Sequence, residues 1–272
     1  MRNTGRSILL TLGLLAILAL LVLAGCGDDD DQSPATGEGH IQLSLIDSAG
    51  PYDEVNIQVI RISVHRADED TLTGWRVLSG DTLAIDLLDY VNGQSIILAD
   101  TVLAAGDYTQ VRLLLGDENN VVVDGTAHDL NIPSGSTTGI KLNHPFTLSD
   151  GALYAVTLDW DAERSIHQTG GGQYMMSPVI RLVVDAASGT IGGTVLPVAG
   201  EARVMTVAGT DTISTHADPV SGEYRLMALP GGTYDVHINA TAGSYADTTV
   251  ADVAVVVGQD TELGTITLES IR

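Results

Sequence analysis

From His40 onward the apolar residues fall at alternate positions in short runs. Ile41, Leu43 and Leu45 point one way, as do Val55, Ile57 and Val59, and then Ile60, Ile62 and Val64 continue with the parity reversed. A β-bulge near Val59-Ile60 explains the switch, because one extra residue moves the following side chains to the other face. Further runs at Val111-Leu113-Leu115, Val121-Val123, Ile140-Leu142, Val156-Leu158-Trp160 and residues 179–184 are bounded by Asn119-Asn120, Asp124-Gly125, Asp150-Gly151 and Gly170-Gly171-Gly172. This is strand spacing punctuated by turn residues. The one helical candidate is a single turn around Ile85, Leu88 and Asp89-Tyr90, ending before Asn92-Gly93. Many short strands with frequent turns predict an all-β chain folded as an antiparallel sandwich or barrel.

The first residues have a different pattern. Arg2 and Arg6 precede an apolar run at residues 8–23, somewhat shorter than the ~20 residues a spanning helix needs, so a cleaved signal is expected rather than a permanent membrane helix. Ala24-Gly25 ahead of Cys26, the one cysteine of the chain, resembles the lipobox, in which signal peptidase II cuts before the cysteine and its thiol carries a diacylglycerol. The expectation is a lipoprotein signal peptide at 1–25, lipidation of Cys26 and attachment to a membrane through that lipid; the alternative weighed against it is an ordinary signal with an incidental cysteine. With Cys26 taken by lipid, no disulfide framework, thiolate nucleophile or cysteine zinc site is available. Residues 26–39, with four successive aspartates at 28–31, have no apolar period and read as an acidic flexible tether with a reach of roughly 20 Å. In a two-membrane cell, Gly27 in place of an aspartate after the cysteine resembles outer-membrane cargo, so the expected location is the cell envelope, and the outer membrane if the cell is Gram-negative.

Charge narrows the partners. Thirty-five acids against 12 bases give a net charge of -23, and Lys141 is the only lysine. Nucleic acid and a bare anionic membrane are thus unexpected partners, and no basic phosphate-binding or polybasic surface is expected to assemble. An acidic exterior keeps a protein soluble and draws cations, and salt should relieve its self-repulsion.

The chain has no Gly-x-Ser-x-Gly elbow, no His-Glu-x-x-His, no Walker loop and no Gly-x-Gly-x-x-Gly, and its seven histidines lack ligand spacing. A non-enzyme is expected, with no catalytic residue, no cofactor and no assigned metal site. The strongest chemical candidate is Asp159-Trp160-Asp161 with Glu163, Arg164 and Ser165. On a strand Asp159 and Asp161 share a face at about 7 Å, which suits calcium or the paired carboxylates of glycoside chemistry. The plainer reading has Arg164 pairing with one carboxylate while the acids close a turn. The loops Gly116-Asp117-Glu118-Asn119-Asn120 and Asp68-Glu69-Asp70 are weaker calcium candidates. Aromatic platforms for sugar are scarce, since a sandwich core would claim most of Trp75, Trp160 and Phe146.

Residues 40–186 carry a family resemblance. The order Asp47, Tyr52-Asp53-Glu54-Val55-Asn56-Ile57, Val64-His65, Gly74-Trp75, Ile85-Asp86-Leu87-Leu88, Asn92-Gly93, Ala105-Gly106-Asp107-Tyr108-Thr109-Gln110-Val111-Arg112-Leu113, Gly139-Ile140-Lys141-Leu142 and Leu158-Asp159-Trp160-Asp161-Ala162 resembles the bacterial lipoprotein family called domain of unknown function 4382. The chain departs from that pattern at Ser48-Ala49-Gly50-Pro51, where a proline usually follows the aspartate sooner, and at Leu98-Ala99-Asp100, where a leucine-glycine pair is usual. The resemblance implies no activity. Residues 187–272, with Gly189-Thr190-Ile191-Gly192-Gly193-Thr194-Val195 and Leu229-Pro230-Gly231-Gly232-Thr233-Tyr234-Asp235-Val236, resemble the carboxypeptidase regulatory-like, or transthyretin-like, β-sandwich, which implies no peptidase activity. Two antiparallel Ig-like or transthyretin-like sandwiches are therefore expected, joined at Ala186-Ala187-Ser188-Gly189. The expected function is a lipid-anchored, non-catalytic binding or assembly module of the envelope, with a surface protein or a glycan as partner and calcium as a candidate ligand. The alternative is a glycan-binding or glycoside-processing protein using Asp159 and Asp161.

Overall fold

The alternation at Ile41, Leu43 and Leu45 becomes the central strand of a sandwich. The structure, a computed structural model, describes residues 37–48, 50–133 and 135–271. The signal peptide, Cys26 and the tether as far as residue 36 lie outside the described residues. The first thirteen strands are β1 (Glu38–Ser48), β2 (Glu54–Arg66), β3 (Trp75–Ser79), β4 (Leu83–Asp86), β5 (Ile96–Ala104), β6 (Gly106–Leu115), β7 (Asn120–Val123), β8 (Thr126–Asn131), β9 (Ile140–Leu148), β10 (Leu153–Asp161), β11 (Ile166–Gln168), β12 (Tyr174–Met176) and β13 (Ile180–Val184). They form a four-stranded sheet in the order β13-β10-β1-β5 and a nine-stranded sheet running β11-β12-β8-β7-β2-β6-β9, with β3 and β4 also paired to β2. Leu43, Leu45 and Leu158 from the first sheet meet Ile57, Leu113 and Val121 from the second in one buried cluster, which also holds Trp160.

The bulge lies where periodicity places it. Register between β2 and β6 shifts between Val59 and Arg61, so Val55, Ile57 and Val59 are buried before the shift and Ile62 and Val64 after it. The helical candidate is a 3-10 turn at Leu87–Tyr90, whose N-cap Asp86 accepts from the Leu88 N–H at 3.1 Å. Most pairings among these thirteen strands are antiparallel, but β1 runs parallel to β10 and β8 parallel to β12. Hydrophobic alternation is the same for both directions, so periodicity does not distinguish them.

Seven further strands follow: β14 (Ser188–Leu196), β15 (Ala202–Ala208), β16 (Asp211–His216), β17 (Glu223–Pro230), β18 (Gly232–Ala240), β19 (Thr248–Val255) and β20 (Asp260–Thr267). They make sheets ordered β17-β14-β20 and β16-β15-β18-β19, and share no sheet with the first thirteen. Ile191, Val204, Leu226, Val236 and Ile238 fill the space between them. Gly189 is required by close approach, because a Cβ there would lie 2.5 Å from the Val256 carbonyl oxygen.

The two modules also meet. Ile46 and Val183, on the outer face of the four-stranded sheet, are buried in a small cluster with Ala228 of β17. Alternation along β1 accordingly gives way to continuous burial from Leu45 to Ser48, where the second module covers the face that would otherwise see water.

Candidate functional site

Strand β10 ends in Asp159-Trp160-Asp161. Trp160 is fully buried in the core, which turns Asp159 and Asp161 to the opposite face, as the strand period requires. Each carboxylate there has a partner. Arg181 of β13 donates to Asp159 at 2.5 Å and, through its other terminal nitrogen, to the Ala228 carbonyl of the second module at 2.9 Å. Burial nevertheless raises the Asp159 pKa, outweighing the Arg181 charge. Asp161 caps a single helical turn, α1 (Ala162–Ser165), by accepting from the Arg164 N–H at 2.8 Å, with the Arg164 guanidinium 3.8 Å away. The plainer reading of the motif, an arginine pair and a closed turn, is the observed one.

Asp47 on β1 stands beside Trp160 in the parallel register and accepts from the Ala162 N–H at 2.9 Å. Its other oxygen is buried without a hydrogen-bond partner. Burial pushes the Asp47 carboxyl well above its ordinary range, and the neighbouring charges of Asp159 and Asp161 push it further, against the Ala162 hydrogen bond.

Across the cleft, Glu163 forms an ion pair with Arg203 of β15 at 2.9 Å. A cavity of about 170 Å³ opens here, lined by Ser48, Asp159, Asp161, Arg164, Arg181 and Asp211. The second tie between the modules is Asn92, at φ 51° just after the 3-10 turn. Its amide donates to the His216 carbonyl at 3.1 Å, while its oxygen accepts from the Thr215 hydroxyl at 3.0 Å and the Arg225 N–H at 3.1 Å.

Calcium, expected as a candidate ligand at Asp159 and Asp161, does not find a ligand set here. Asp159 is spent on a guanidinium and Asp161 on a helix cap, and among the described residues no group of three or more His, Cys, Asp or Glu is arranged to hold a metal ion. The weaker loops are used internally. Asn119 and Glu118 accept from Gln58 at 2.9 Å each, and Asp68 and Glu69 pair with Arg66 and Arg76.

A feature the sequence reading missed lies on the outer face of the nine-stranded sheet. Six arginines of the described residues, Arg66, Arg76, Arg164, Arg181, Arg203 and Arg225, are ion-paired with carboxylates. Among the described residues Arg61, Arg112 and Lys141 are the basic side chains in no such pair, and they share one patch. Arg112 on β6 stands opposite Ser63 of β2 on one side and Lys141 of β9 on the other, while Arg61 is two residues along β2, opposite Leu114. The Arg112 guanidinium lies 3.5 Å from the centroid of the Trp75 ring. Three strands place these scarce cations on the same face, a cluster smaller than the phosphate-binding or polybasic surface that the single lysine argues against. The signal was in the sequence, since the outward positions 61, 63, 65, 110, 112, 141 and 143 contain no acid in a chain of net charge -23.

Among solved structures, the chain overlaps a mutant type II cohesin–X-dockerin complex of Acetivibrio cellulolyticus at 25% identity over 30% of this chain, with a TM-score of 0.25, and spans 58% of that protein's length. It overlaps a minor pilin of Streptococcus agalactiae at 12% identity over 85% of this chain and 96% of that one, and a putative adhesin of Bacteroides ovatus at 10% over 92% and 99%, both with a TM-score of 0.26. At scores of this size the overlaps imply no common activity. No curated protein matches the chain. The model of the family described as "Domain of unknown function (DUF4382)" matches residues 38–178, from β1 through β12, and since this is more than half of the sequence the chain belongs to the DUF4382 family.

Proposed function

We propose that the chain is an exported, lipid-anchored envelope protein without catalytic activity, in which a DUF4382 domain over 40–186 and a carboxypeptidase regulatory-like sandwich over 187–272 form one rigid binding unit. The observation that carries this reading is the fate of the acids. Of the two carboxylates most suggestive of chemistry, Asp159 joins the modules through Arg181 and Asp161 caps the α1 turn, while Glu163 in that turn makes a further link through Arg203. Two joined modules behind the Cys26 lipid hold a binding surface near a membrane. The partner class is a surface protein or a glycan.

The anchor is tested directly. Cys26→Ala, or globomycin added to cells making the wild type, should leave an uncleaved precursor, and in a two-membrane cell Gly27→Asp should move the mature protein from the outer to the inner membrane fraction. Normal maturation of Cys26→Ala to a soluble form would overturn the anchor.

A further inference from the structure

We propose that the outer face of the nine-stranded sheet around Arg112 binds an acidic polysaccharide, with its carboxylates on Arg61, Arg112 and Lys141. Segregation is the first argument. Acids outnumber bases almost three to one, so an exposed cation readily finds a counterion, and six arginines do. Arg61, Arg112 and Lys141 are kept apart from acids on neighbouring strands, and Arg112 and Lys141 are directly opposite each other. Like charges in that position destabilise a sheet. Burial lowers the Arg112 pKa with no carboxylate to offset it.

Preorganisation is the second argument. Trp75 is itself fixed, its indole N–H donating to the Thr71 carbonyl at 3.0 Å and its ring meeting the His65 ring edge-on at 5.0 Å. Stacked on that ring, the Arg112 guanidinium is held as a planar fork, the geometry that takes a carboxylate through two parallel hydrogen bonds. In the next row Gln110 and Asn143 are hydrogen-bonded at 2.9 Å, placing neutral amides beside the cations where hydroxyl groups of a sugar would lie. Strand geometry separates the three cations by roughly 5–10 Å.

A saccharide chain fits this face better than other polyanions. A membrane surface is broad and would meet the surrounding acidic exterior as well as the patch, whereas a single extended chain touches the patch alone. Three cations neutralise too few phosphates to hold nucleic acid at physiological salt.

This inference deepens the non-catalytic binding reading, and the two fail separately, because membrane fractionation reports the anchor and ligand retention reports the face. The test is retention of the purified full chain on immobilised polygalacturonate, with neutral dextran, phosphatidylglycerol vesicles and single-stranded DNA as competitors. The wild type should be retained at low salt and released as salt rises. Lys141→Gln and Arg61→Gln, both at exposed positions, should each weaken retention, and Arg112→Gln with Lys141→Gln should weaken it about tenfold or more. Arg164→Gln, an equal change of charge outside the patch, should leave it unaltered. Thermal melting establishes that each variant is folded, and if Arg112→Gln is not, the Lys141 and Arg61 variants decide alone. No retention of the wild type, equal loss in Arg164→Gln, or stronger competition by vesicles or DNA than by free polygalacturonate overturns the proposal.

Discussion

Asn92→Ala should destabilise the protein by about 3 kcal/mol, since it leaves the Thr215 hydroxyl, the His216 carbonyl and the Arg225 N–H without their partner in part-buried surroundings. In a protein of this size that corresponds to a fall in melting temperature of roughly 10 °C. Part of the cost comes from the backbone. Asn92 has φ 51°, a conformation asparagine tolerates and alanine resists by roughly 1 kcal/mol. Asn92→Gly relieves that strain but still lacks the amide, so it should lie between the wild type and Asn92→Ala. Urea unfolding measures all three, and a loss below about 1 kcal/mol in Asn92→Ala would show that the modules are held together elsewhere. Proteolysis gives a second readout. A chain nicked at the exposed Ala186-Ala187 should stay associated in the wild type and come apart more readily in Asn92→Ala.

Asp47→Asn should make the protein more stable at neutral pH. The Asp47 carboxyl has a folded-state pKa well above its unfolded value, mainly through burial. As pH rises through the interval between those two values, the unfolded chain ionises first and the native state loses stability relative to it; above the folded value the penalty is complete. Asparagine removes the titration and keeps an oxygen for the Ala162 N–H. The advantage of Asp47→Asn should therefore grow as pH rises above the ordinary aspartate range and vanish as pH falls below it. Each kcal/mol gained raises the melting temperature by about 2–4 °C. Paired melts at neutral and acid pH check this, and a destabilised Asp47→Asn at pH 7 would mean that the fold favours the charged carboxylate.

What the sequence disclosed was local. The parity reversal at Ile60 was readable because a strand with one buried face repeats every two residues, and an inserted residue leaves a visible fault. The single turn around Leu88 was readable for the same reason, since its residues lie within a few positions of one another, although its cap Asp86 went unread. Asn92 was visible only as a turn former, because its partners lie 123 to 133 positions later and nothing in the turn announces them. Asp159 and Asp161 were correctly placed on one face, but their role depended on Arg181, which comes from another strand. Ile46 was a missed hint. It is apolar on a face otherwise carrying Gln42 and Ser44, and that break in polarity marks where the second module packs.

The place of β1 in its sheet has a mechanical consequence. The chain enters the fold directly into a central strand, flanked by β10 over nine register pairs and by β5 over eight. Tension applied from the N-terminal side runs along the axis of β1, perpendicular or slanted to its ladder hydrogen bonds, so both ladders are sheared together rather than peeled open one bond at a time. A partner pulling on the opposite sheet or on the second module would load many bonds in parallel. The fold is thus suited to bearing force applied at the start of β1.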